Sequence, residues 1–382
     1  MVLKISDPLL MREINKFSVL ETIRKHEVIS RVEITNLTQL SRTTVSAITG
    51  GLLETGLIEV SHTDEASRGR PRVNLALVAD AAYAFGAALT ENGLTLTLAN
   101  FRGDVILTAH HSKDFLHLPP DALTDFIASH LLEACAAANI DSRKVNGLCL
   151  GISGLIDPIS GACAQGADFA KIAPHLSQAL HEKTGLAIFL ENHAELLALK
   201  KQWYDRSDGS CAVVVLNDVV EMCFLAPDPT QNTPKLRPAL GHTKVRGSAE
   251  ICACGQTDCA QAYLSKSALT KAFHSHKTTG EILSNLAPSQ AKPLADILGQ
   301  SLAHAVNLFN PDTLVTTCES ASFLTKYAQE ITTSIRANAT TDNFQTTKLE
   351  FLPLDLQHVA LGATALVLKE FYKAPWIAQE AL

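Results

Sequence analysis

Residues 30–56 read SRVEITNLTQLSRTTVSAITGGLLETG, and this stretch determines the fold expected for the N-terminal part of the chain. Ser30, followed three residues later by Glu33, is a capping-box pattern that predicts the start of a short helix. Ser41 is suited to cap a further helix, because apolar residues then recur every three or four positions until Gly56. The stretch therefore predicts two short helices joined by a turn.

The sequence on either side completes a small domain. Residues 10–25 have apolar residues spaced by three or four, which predicts an amphipathic helix. Residues 57–60 and 73–77 are typical of strands, and the polar segment SHTDEASRGRPR lies between them. Helix, helix, turn, helix and hairpin is the order of a winged helix-turn-helix domain, which we expect over residues 1–78.

A domain of this kind binds DNA by placing its last helix in the major groove. The face of that helix expected to be exposed carries an arginine, several hydroxyls and a small apolar residue, which suit phosphates, base edges and thymine methyl groups. These residues are Arg42, Thr43, Thr44, Ser46, Ala47 and Thr49. An ordinary polar helix face, or a helix-turn-helix used for protein contacts, would show the same pattern.

The segment between the two expected strands contains Arg68, Gly69 and Arg70, followed by Pro71. Arginines around a glycine suit the narrow minor groove of A·T-rich DNA, whose negative potential attracts guanidinium groups. The tetrapeptide resembles the core of an AT-hook. The alternative is a basic hairpin tip that contacts phosphates only.

Charge is unevenly distributed along the 382 residues, whose net charge is −7. Residues 1–78 carry 10 Lys and Arg against 9 Asp and Glu, whereas the remainder carries 22 against 30. A DNA partner is therefore expected at the N-terminal segment. No apolar run approaches the roughly 20 residues that span a bilayer, and no signal peptide is evident, so we expect a soluble cytoplasmic protein without a membrane partner.

From about residue 83, strand-like and helix-like segments alternate, which predicts an α/β architecture with helices covering sheets. The expected strands are 83–89, 94–100, 105–109, 146–153, 187–191 and 211–217, and the expected helices are 121–138 and 192–203. Residues 228–238 contain three prolines and predict a loop.

Three of the nine cysteines fall within eight residues, in the stretch GHTKVRGSAEICACGQTDCAQAY at 241–263. One imidazole and three thiols form a set that Zn²⁺ binds tetrahedrally in structural sites. The expected zinc ligands are His242, Cys252, Cys254 and Cys259. Three reduced thiols beside an unrelated histidine, or a redox switch, are the alternatives.

These motifs together resemble the regulator branch of the ROK family (repressors, open reading frames and kinases). The residues that carry the resemblance are Gly241-His242 with Cys252-x-Cys254-Gly255-x3-Cys259, Gly151-Ile152-Ser153-Gly154 with Asp157 and Gly161, Asn307-x2-Asn310-Pro311, Gly362-Ala363, and the winged segment ending in Arg68-Gly69-Arg70-Pro71. The resemblance implies a two-lobed, actin-like or ribonuclease H-like ATPase-type domain over residues 79–382. Lobe one would comprise about 79–190 plus the C-terminal end, and lobe two about 191–365. It also implies a homodimer or homotetramer.

Departures from the family pattern argue against kinase activity. ROK kinases open this domain with a strand carrying Asp-x-Gly-Gly-Thr, whereas residues 84–90 contain no Asp. The catalytic Asp of the kinases corresponds to His193, and two glycine-rich turns correspond to residues 217–221 and 316–319. Because phosphoryl transfer depends on groups that position ATP and Mg²⁺, we expect no enzymatic activity.

The sugar-binding residues of the family are also only partly present. Asn192 and His242 remain, but Ala239 and Gln261 replace two glutamates, and His193 replaces the Asp. The candidate effector-binding residues are Asn192, His193, His242 and Gln261. A sugar or sugar derivative is the expected effector, and a pocket that binds nothing is the alternative.

The sequence therefore predicts a DNA-binding transcriptional regulator, in the form of a repressor that binds a double-stranded operator and controls carbohydrate-related genes. Two alternatives stay open. One is a ROK-type sugar kinase with a fused DNA-binding domain. The other is an effector-blind regulator whose ROK domain serves only oligomerisation.

Overall fold

The computed structural model describes residues 8–64, 72–115, 118–156, 163–166, 168–205, 209–226, 236–275 and 277–373. Its N-terminal unit has the predicted order of elements. They are α1 (Pro8–His26), β1 (Ile29–Ser30), α2 (Arg31–Thr38), α3 (Arg42–Glu54), β2 (Ile58–Asp64) and β3 (Arg72–Leu77). The three strands form one antiparallel sheet in the order β1-β3-β2.

Both predicted helix caps of the N-terminal unit are present. The Ser30 hydroxyl accepts the backbone N–H of Glu33, and the Glu33 carboxylate accepts the backbone N–H of Ser30 at 2.9 Å. The Ser41 hydroxyl accepts the backbone N–H of Thr44 at 3.1 Å. The caps satisfy N–H groups that have no partner inside the helix, so the short helices α2 and α3 begin where the sequence predicts.

The sequence pattern assigned one residue, Thr49, to the wrong face of α3. Thr49 is fully buried, so its assignment to the exposed face of α3 was wrong. Its hydroxyl accepts the Arg31 Nε–H of α2 at 2.9 Å and donates to the Val45 carbonyl at 2.8 Å. Thr49 therefore joins α2 to α3 and is not available to a partner.

A five-stranded sheet follows, in the order β10-β7-β4-β5-β6. Its elements and neighbours are β4 (Tyr83–Thr90), β5 (Gly93–Asn100), β6 (Val105–Ser112), α4 (Pro120–Ala137), β7 (Val145–Ile152), β8 (Gly154–Ile156), β9 (Cys163–Gly166), α5 (Asp168–Thr184), β10 (Ala187–Asn192) and α6 (His193–Trp203). Strands β10, β7 and β4 are parallel, whereas β4, β5 and β6 form an antiparallel meander. The strands and helices predicted over 83–203 are confirmed.

A second sheet of four strands has the order β12-β11-β13-β14. The remaining elements are β11 (Cys211–Leu216), β12 (Val220–Leu225), α7 (Gln261–Leu264), α8 (Lys266–Phe273), α9 (Thr279–Ser284), α10 (Pro288–Phe309), β13 (Thr313–Cys318), α11 (Ser322–Lys326), α12 (Ala328–Asn338), α13 (Thr341–Thr346), β14 (Lys348–Pro353) and α14 (Leu356–Lys373). Strands β11, β13 and β14 are parallel, and β12 is antiparallel to β11. Most of the predicted loop at 228–238 lies outside the described residues.

The last helix, α14, returns to the first sheet and packs against α6 and β4. A methyl group on Gly362 would lie 1.9 Å from the Leu196 carbonyl oxygen of α6, and one on Gly86 would lie 2.0 Å from the Ala360 carbonyl oxygen of α14. Glycine at these positions lets the backbones approach each other. Among the described residues, no helix combines the length and apolar character needed to cross a bilayer.

Candidate metal centre and interlobe cleft

The four expected zinc ligands lie together. The candidate ligand atoms of His242, Cys252, Cys254 and Cys259 all lie within 4.8 Å of one another. Cys252 Sγ is 3.7 Å from His242 Nδ1, and Cys254 Sγ is 3.7 Å from Cys259 Sγ. Tetrahedral ligands held about 2.3 Å from a central ion are roughly 3.8 Å apart, so the residues fit a zinc ion.

Turns that need left-handed backbone shape the cysteine loop. Gly255 has φ of 84° and Asp258 has φ of 56°. The backbone N–H of Gly255 donates to the Cys252 carbonyl at 2.9 Å, and the backbone N–H of Cys252 donates to the Gln256 carbonyl at 2.8 Å. Because glycine adopts this conformation without steric cost, Gly255 allows the chain to reverse between Cys254 and Cys259.

One tyrosine holds the loop against the body of the second lobe. The Tyr263 hydroxyl, on α7, donates to Asp258 Oδ1 at 2.6 Å and accepts the backbone N–H groups of Ser248 at 2.8 Å and Glu250 at 3.1 Å. The arrangement therefore positions the thiols through ordinary hydrogen bonds as well as through a metal.

The thiols of the cluster have different protonation tendencies. The backbone N–H of Gln256 lowers the pKa of Cys254, whose side chain is exposed. Burial raises the pKa of Cys259 to about 11, and the neighbouring thiols add to the rise. Bound zinc would supply the positive charge that keeps such thiols deprotonated.

Of the other expected effector residues, Asn192 and His193 lie where β10 ends and α6 begins, and Gln261 lies beside β12. The side chains of Asn192 and Gln261 make contacts inside the protein. The Asn192 Oδ1 atom accepts the backbone N–H of Glu195 at 2.8 Å, so this side chain caps α6. The Gln261 Oε1 atom accepts the backbone N–H of Val220 at 2.8 Å. Gly241 permits this contact, since a methyl group there would lie 2.6 Å from Gln261 Oε1.

His193 is fully buried at the first position of α6 and lines a cleft between the two sheets. Within the described part of the chain, neither ring nitrogen has a hydrogen-bond partner of ordinary geometry. Burial lowers the His193 pKa to about 4, against a smaller opposing effect of the Gly151 backbone. The imidazole is therefore neutral at physiological pH.

Glu221, which the sequence did not single out as a site residue, lies on β12 beside this cleft and is fully buried. Its Oε1 atom accepts the Ser153 hydroxyl and the Gly154 backbone N–H, both at 3.0 Å. Its Oε2 atom accepts the Ala194 backbone N–H at the start of α6 at 3.2 Å. Burial raises the Glu221 pKa to about 8, although these three hydrogen bonds act in the opposite direction.

Arg237 is a second residue that the sequence did not identify. Its guanidinium group contacts Glu191 Oε2 at 2.5 Å and Glu195 Oε2 at 2.7 Å, and donates to the Ile156 carbonyl at 3.2 Å. Glu195 is fully buried, so Arg237 neutralises a carboxylate inside the fold. The density of acidic residues in Glu191–Glu195 was the available signal, but it did not indicate which cation would pair with them.

A third charged contact crosses the cleft at its outer end. Lys266, at the start of α8, forms ion pairs with Glu91 of the β4–β5 turn at 2.6 Å and with Asp218 at 3.7 Å. Burial raises the Asp218 pKa to about 6, although Lys266 lowers it. The two sheets are thus joined at three points by charged side chains of this chain.

The candidate DNA-facing residues of α3 are largely accessible. Thr44 is half-buried, and the others are exposed: Arg42, Thr43, Ser46 and Ala47. The hydroxyls of Thr43 and Thr44 lie 2.9 Å and 2.8 Å from the Ser41 hydroxyl. Three further residues expected to contact DNA, Arg68, Gly69 and Arg70, lie outside the described residues, as do Asp157 and Gly161.

The ROK family model matches residues 95–370, and the chain therefore belongs to the ROK family. A putative xylose repressor of Caldicellulosiruptor sp. is 22% identical, over 96% of this chain and 98% of its own length. The DNA-binding transcriptional dual regulator NagC of Escherichia coli is 24% identical, over 94% of this chain and 93% of its own length.

Solved structures show the same fold. A ROK family transcriptional regulator described as a homologue of the E. coli MLC protein has a TM-score of 0.76 at 20% identity, covering 95% of this chain and 97% of its own. The ROK hexokinase of Thermus thermophilus has a TM-score of 0.58 at 18% identity, covering 78% of this chain and 100% of its own. The whole hexokinase thus corresponds to about four fifths of this chain.

Proposed function

We propose that this protein is a DNA-binding transcriptional repressor of carbohydrate-related genes. The observation that carries the proposal is the extent of the match. The xylose repressor aligns with 96% of this chain, whereas the hexokinase leaves 22% of it unmatched. Residues 1–78 are about a fifth of the chain and contain the three helices and the hairpin that suit a winged helix-turn-helix domain.

We assign residues 1–78 to the DNA-binding domain and residues 79–382 to the ROK domain. In this proposal α3 lies in the major groove, with Arg42 and Thr43 at its exposed first turn. In the same proposal, Arg68, Gly69 and Arg70 would contact the adjacent minor groove. A homodimer or homotetramer would present two such helices to half-sites about one helical turn apart.

The cleft favours a regulator over a kinase. The residue at the position of the catalytic Asp is His193, and burial lowers the pKa of its ring to about 4, so the ring takes up a proton poorly at physiological pH. Glu221 also accepts the Ala194 backbone N–H at the start of α6, so this donor is not open to a phosphoryl group. We therefore propose that the ROK domain has no phosphoryl-transfer activity.

We propose that zinc bound by His242, Cys252, Cys254 and Cys259 has a structural role. The four protein ligands would complete a tetrahedral set and leave no position open for a substrate. The metal would fix the loop between the 3-10 turn Leu240–His242 and α7.

The proposed effector is a sugar or sugar derivative that enters the cleft beside His193. Among the described polar groups, the ring nitrogens of His193 are best placed to bind the effector, because they have no hydrogen-bond partner of ordinary geometry. Asn192, Gln261 and His242 are not among the residues that line this cleft, and each has a contact inside the protein, so in this proposal they act on the effector indirectly.

Operator binding tests the proposed function. The zinc-loaded full chain should shift DNA from upstream of its own gene at low salt. Arg42→Ala should weaken binding about tenfold by loss of a base or phosphate contact. Arg70→Ala should weaken it mainly on A·T-rich flanks. Absence of any shift would contradict the proposed function, and sugar-dependent conversion of ATP into ADP and a sugar phosphate by the same preparation would favour the kinase alternative.

A further inference from the structure

Helix α6 connects the interlobe cleft to the N-terminal unit. Its first residue, His193, lines the cleft, and its last residue, Trp203, lies in a pocket beside α1 of the N-terminal unit. An α-helix of 11 residues spans roughly 16 Å as a stiff element. A displacement of the N-terminal end of α6 is therefore transmitted to its other end.

The C-terminal end of α6 is attached to the N-terminal unit by a built contact. The Arg24 guanidinium, on α1, lies 3.8 Å from the centre of the Trp203 ring and donates to the Trp203 carbonyl at 3.1 Å. Glu21 neutralises Arg24 through an ion pair of 2.6 Å, and both side chains are buried. Moving Trp203 would disrupt this buried group of charges, so α1 is expected to follow it.

The N-terminal end of α6 is held from the second sheet, by Glu221 of β12. The Glu221 carboxyl group accepts the backbone N–H of Ala194, the second residue of α6, and at the same time the Ser153 hydroxyl and the Gly154 amide of the first lobe. Three donors that converge on one buried carboxyl group form a complete site for a small acid, and the chain fills that site itself. The buried, unpartnered ring of His193 lies at the neighbouring position of the helix.

We propose that Glu221 acts as an internal ligand which holds the N-terminal end of α6, and that α6 transmits the state of the cleft to the N-terminal unit through Trp203 and Arg24. This mechanism differs from assembly alone, because it makes the orientation of the N-terminal unit depend on a contact about one helix length away. Its consequence for operator binding rests on the proposed function, whereas the coupling itself does not.

Tryptophan fluorescence of the zinc-loaded full chain tests the coupling. The chain has two tryptophans, Trp203 and Trp376, so Trp376→Phe leaves Trp203 as the only reporter. In that background, Glu221→Gln replaces one acceptor oxygen by an amide group that faces an N–H donor. We expect an altered emission maximum and about twofold stronger acrylamide quenching of Trp203. Glu133→Gln, on the exposed surface of α4, is the matched control and should change neither.

Two further measurements separate the possible outcomes. Zinc content and far-ultraviolet circular dichroism check the folding of each variant. If Glu221→Gln unfolds, Glu221→Asp takes its place as the conservative variant, because it keeps an acidic side chain. Unchanged Trp203 quenching in folded Glu221→Gln would overturn the proposal. On an operator, the same variant should change affinity about fivefold. If no operator binding occurs at all, the function fails, but the quenching result still decides the coupling.

Discussion

The cysteine loop and the interlobe cleft are built in opposite ways. All four candidate metal ligands lie within residues 242–259, and the turns that bring them together form inside that segment. The groups around Glu221 come from Ser153, Gly154 and Ala194, on elements that are distant in sequence. The loop therefore depends on local backbone geometry, whereas the cleft depends on the packing of two sheets and two helices.

The largest expected effect tests the local region. Cys254→Ser should abolish stoichiometric zinc binding and lower the free energy of unfolding by about 3 kcal/mol or more, because a structural metal contributes folding energy directly. Cys254 is exposed, so without a metal the same change would cost very little. Metal analysis and urea unfolding measure both quantities.

Cys135→Ser is the matched control, because Cys135 is a buried thiol outside the cluster. Cys135→Ser should lower the free energy of unfolding but leave the zinc content unchanged. One zinc per chain retained in Cys254→Ser would contradict the ligand assignment.

The next effect tests the packing that builds the cleft. Gly362→Ala would place a methyl group 1.9 Å from the Leu196 carbonyl oxygen, which belongs to the backbone and cannot rotate away. We expect a loss of about 3 kcal/mol in the free energy of unfolding, because α14 and α6 must separate.

Gly50→Ala on α3 is the matched control for Gly362→Ala. No atom lies within 4 Å of its added methyl group, and alanine favours the helix, so stability should rise by about 0.5–1 kcal/mol. Equal effects of the two substitutions in chemical denaturation would show that α14 and α6 are not in close contact.

The smallest effect concerns the protonation of the cleft. The folded-state pKa of Glu221 is raised to about 8 from an ordinary value of 4.5, so the folded protein retains a proton that the unfolded chain has lost. Stability should therefore fall as pH rises from 6.5 to 8.5, on the order of 1 kcal/mol or more. Urea unfolding of wild type and Glu221→Gln across this range measures the slope, which should be smaller in the variant.

The pH range of that experiment separates Glu221 from its neighbours. In the folded protein the pKa of His193 is lowered to about 4 and that of Asp218 is raised to about 6, and both groups titrate alike in the unfolded chains of the two proteins, so the difference between the two slopes reports Glu221. Identical slopes for the two proteins would mean that Glu221 is ionised throughout.

The N-terminal unit shows how far periodicity alone can predict a structure. The caps at Ser30 and Ser41 and the strands on either side of the hairpin are confirmed, since each depends on neighbours within a few residues. Thr49 was misassigned, because its environment is set by Arg31, which lies 18 residues away and reaches it across the α2–α3 contact.

In the cleft, the sequence predicted positions better than roles. The helix predicted from Asn192 to Trp203 is present, but Asn192 is the last residue of β10 and the cap of α6, and this capping contact was not predicted. The contact between Gln261 Oε1 and the Val220 backbone was not predicted, and the role of Gln261 towards an effector stays a prediction. Glu221 and Arg237 were missed, because a charged residue in a sequence does not show which buried donors or carboxylates it will meet.

The amino-acid sequence by itself determined the order of elements in the N-terminal unit, the caps at Ser30 and Ser41, the cysteine cluster and the family to which the chain belongs, because these depend on spacing and on residue type. Only the tertiary structure decided which side chains fill the cleft and which helix joins it to the N-terminal unit. The physical reason is that a buried charge requires partners from all sides, and those partners are brought together only when distant segments pack.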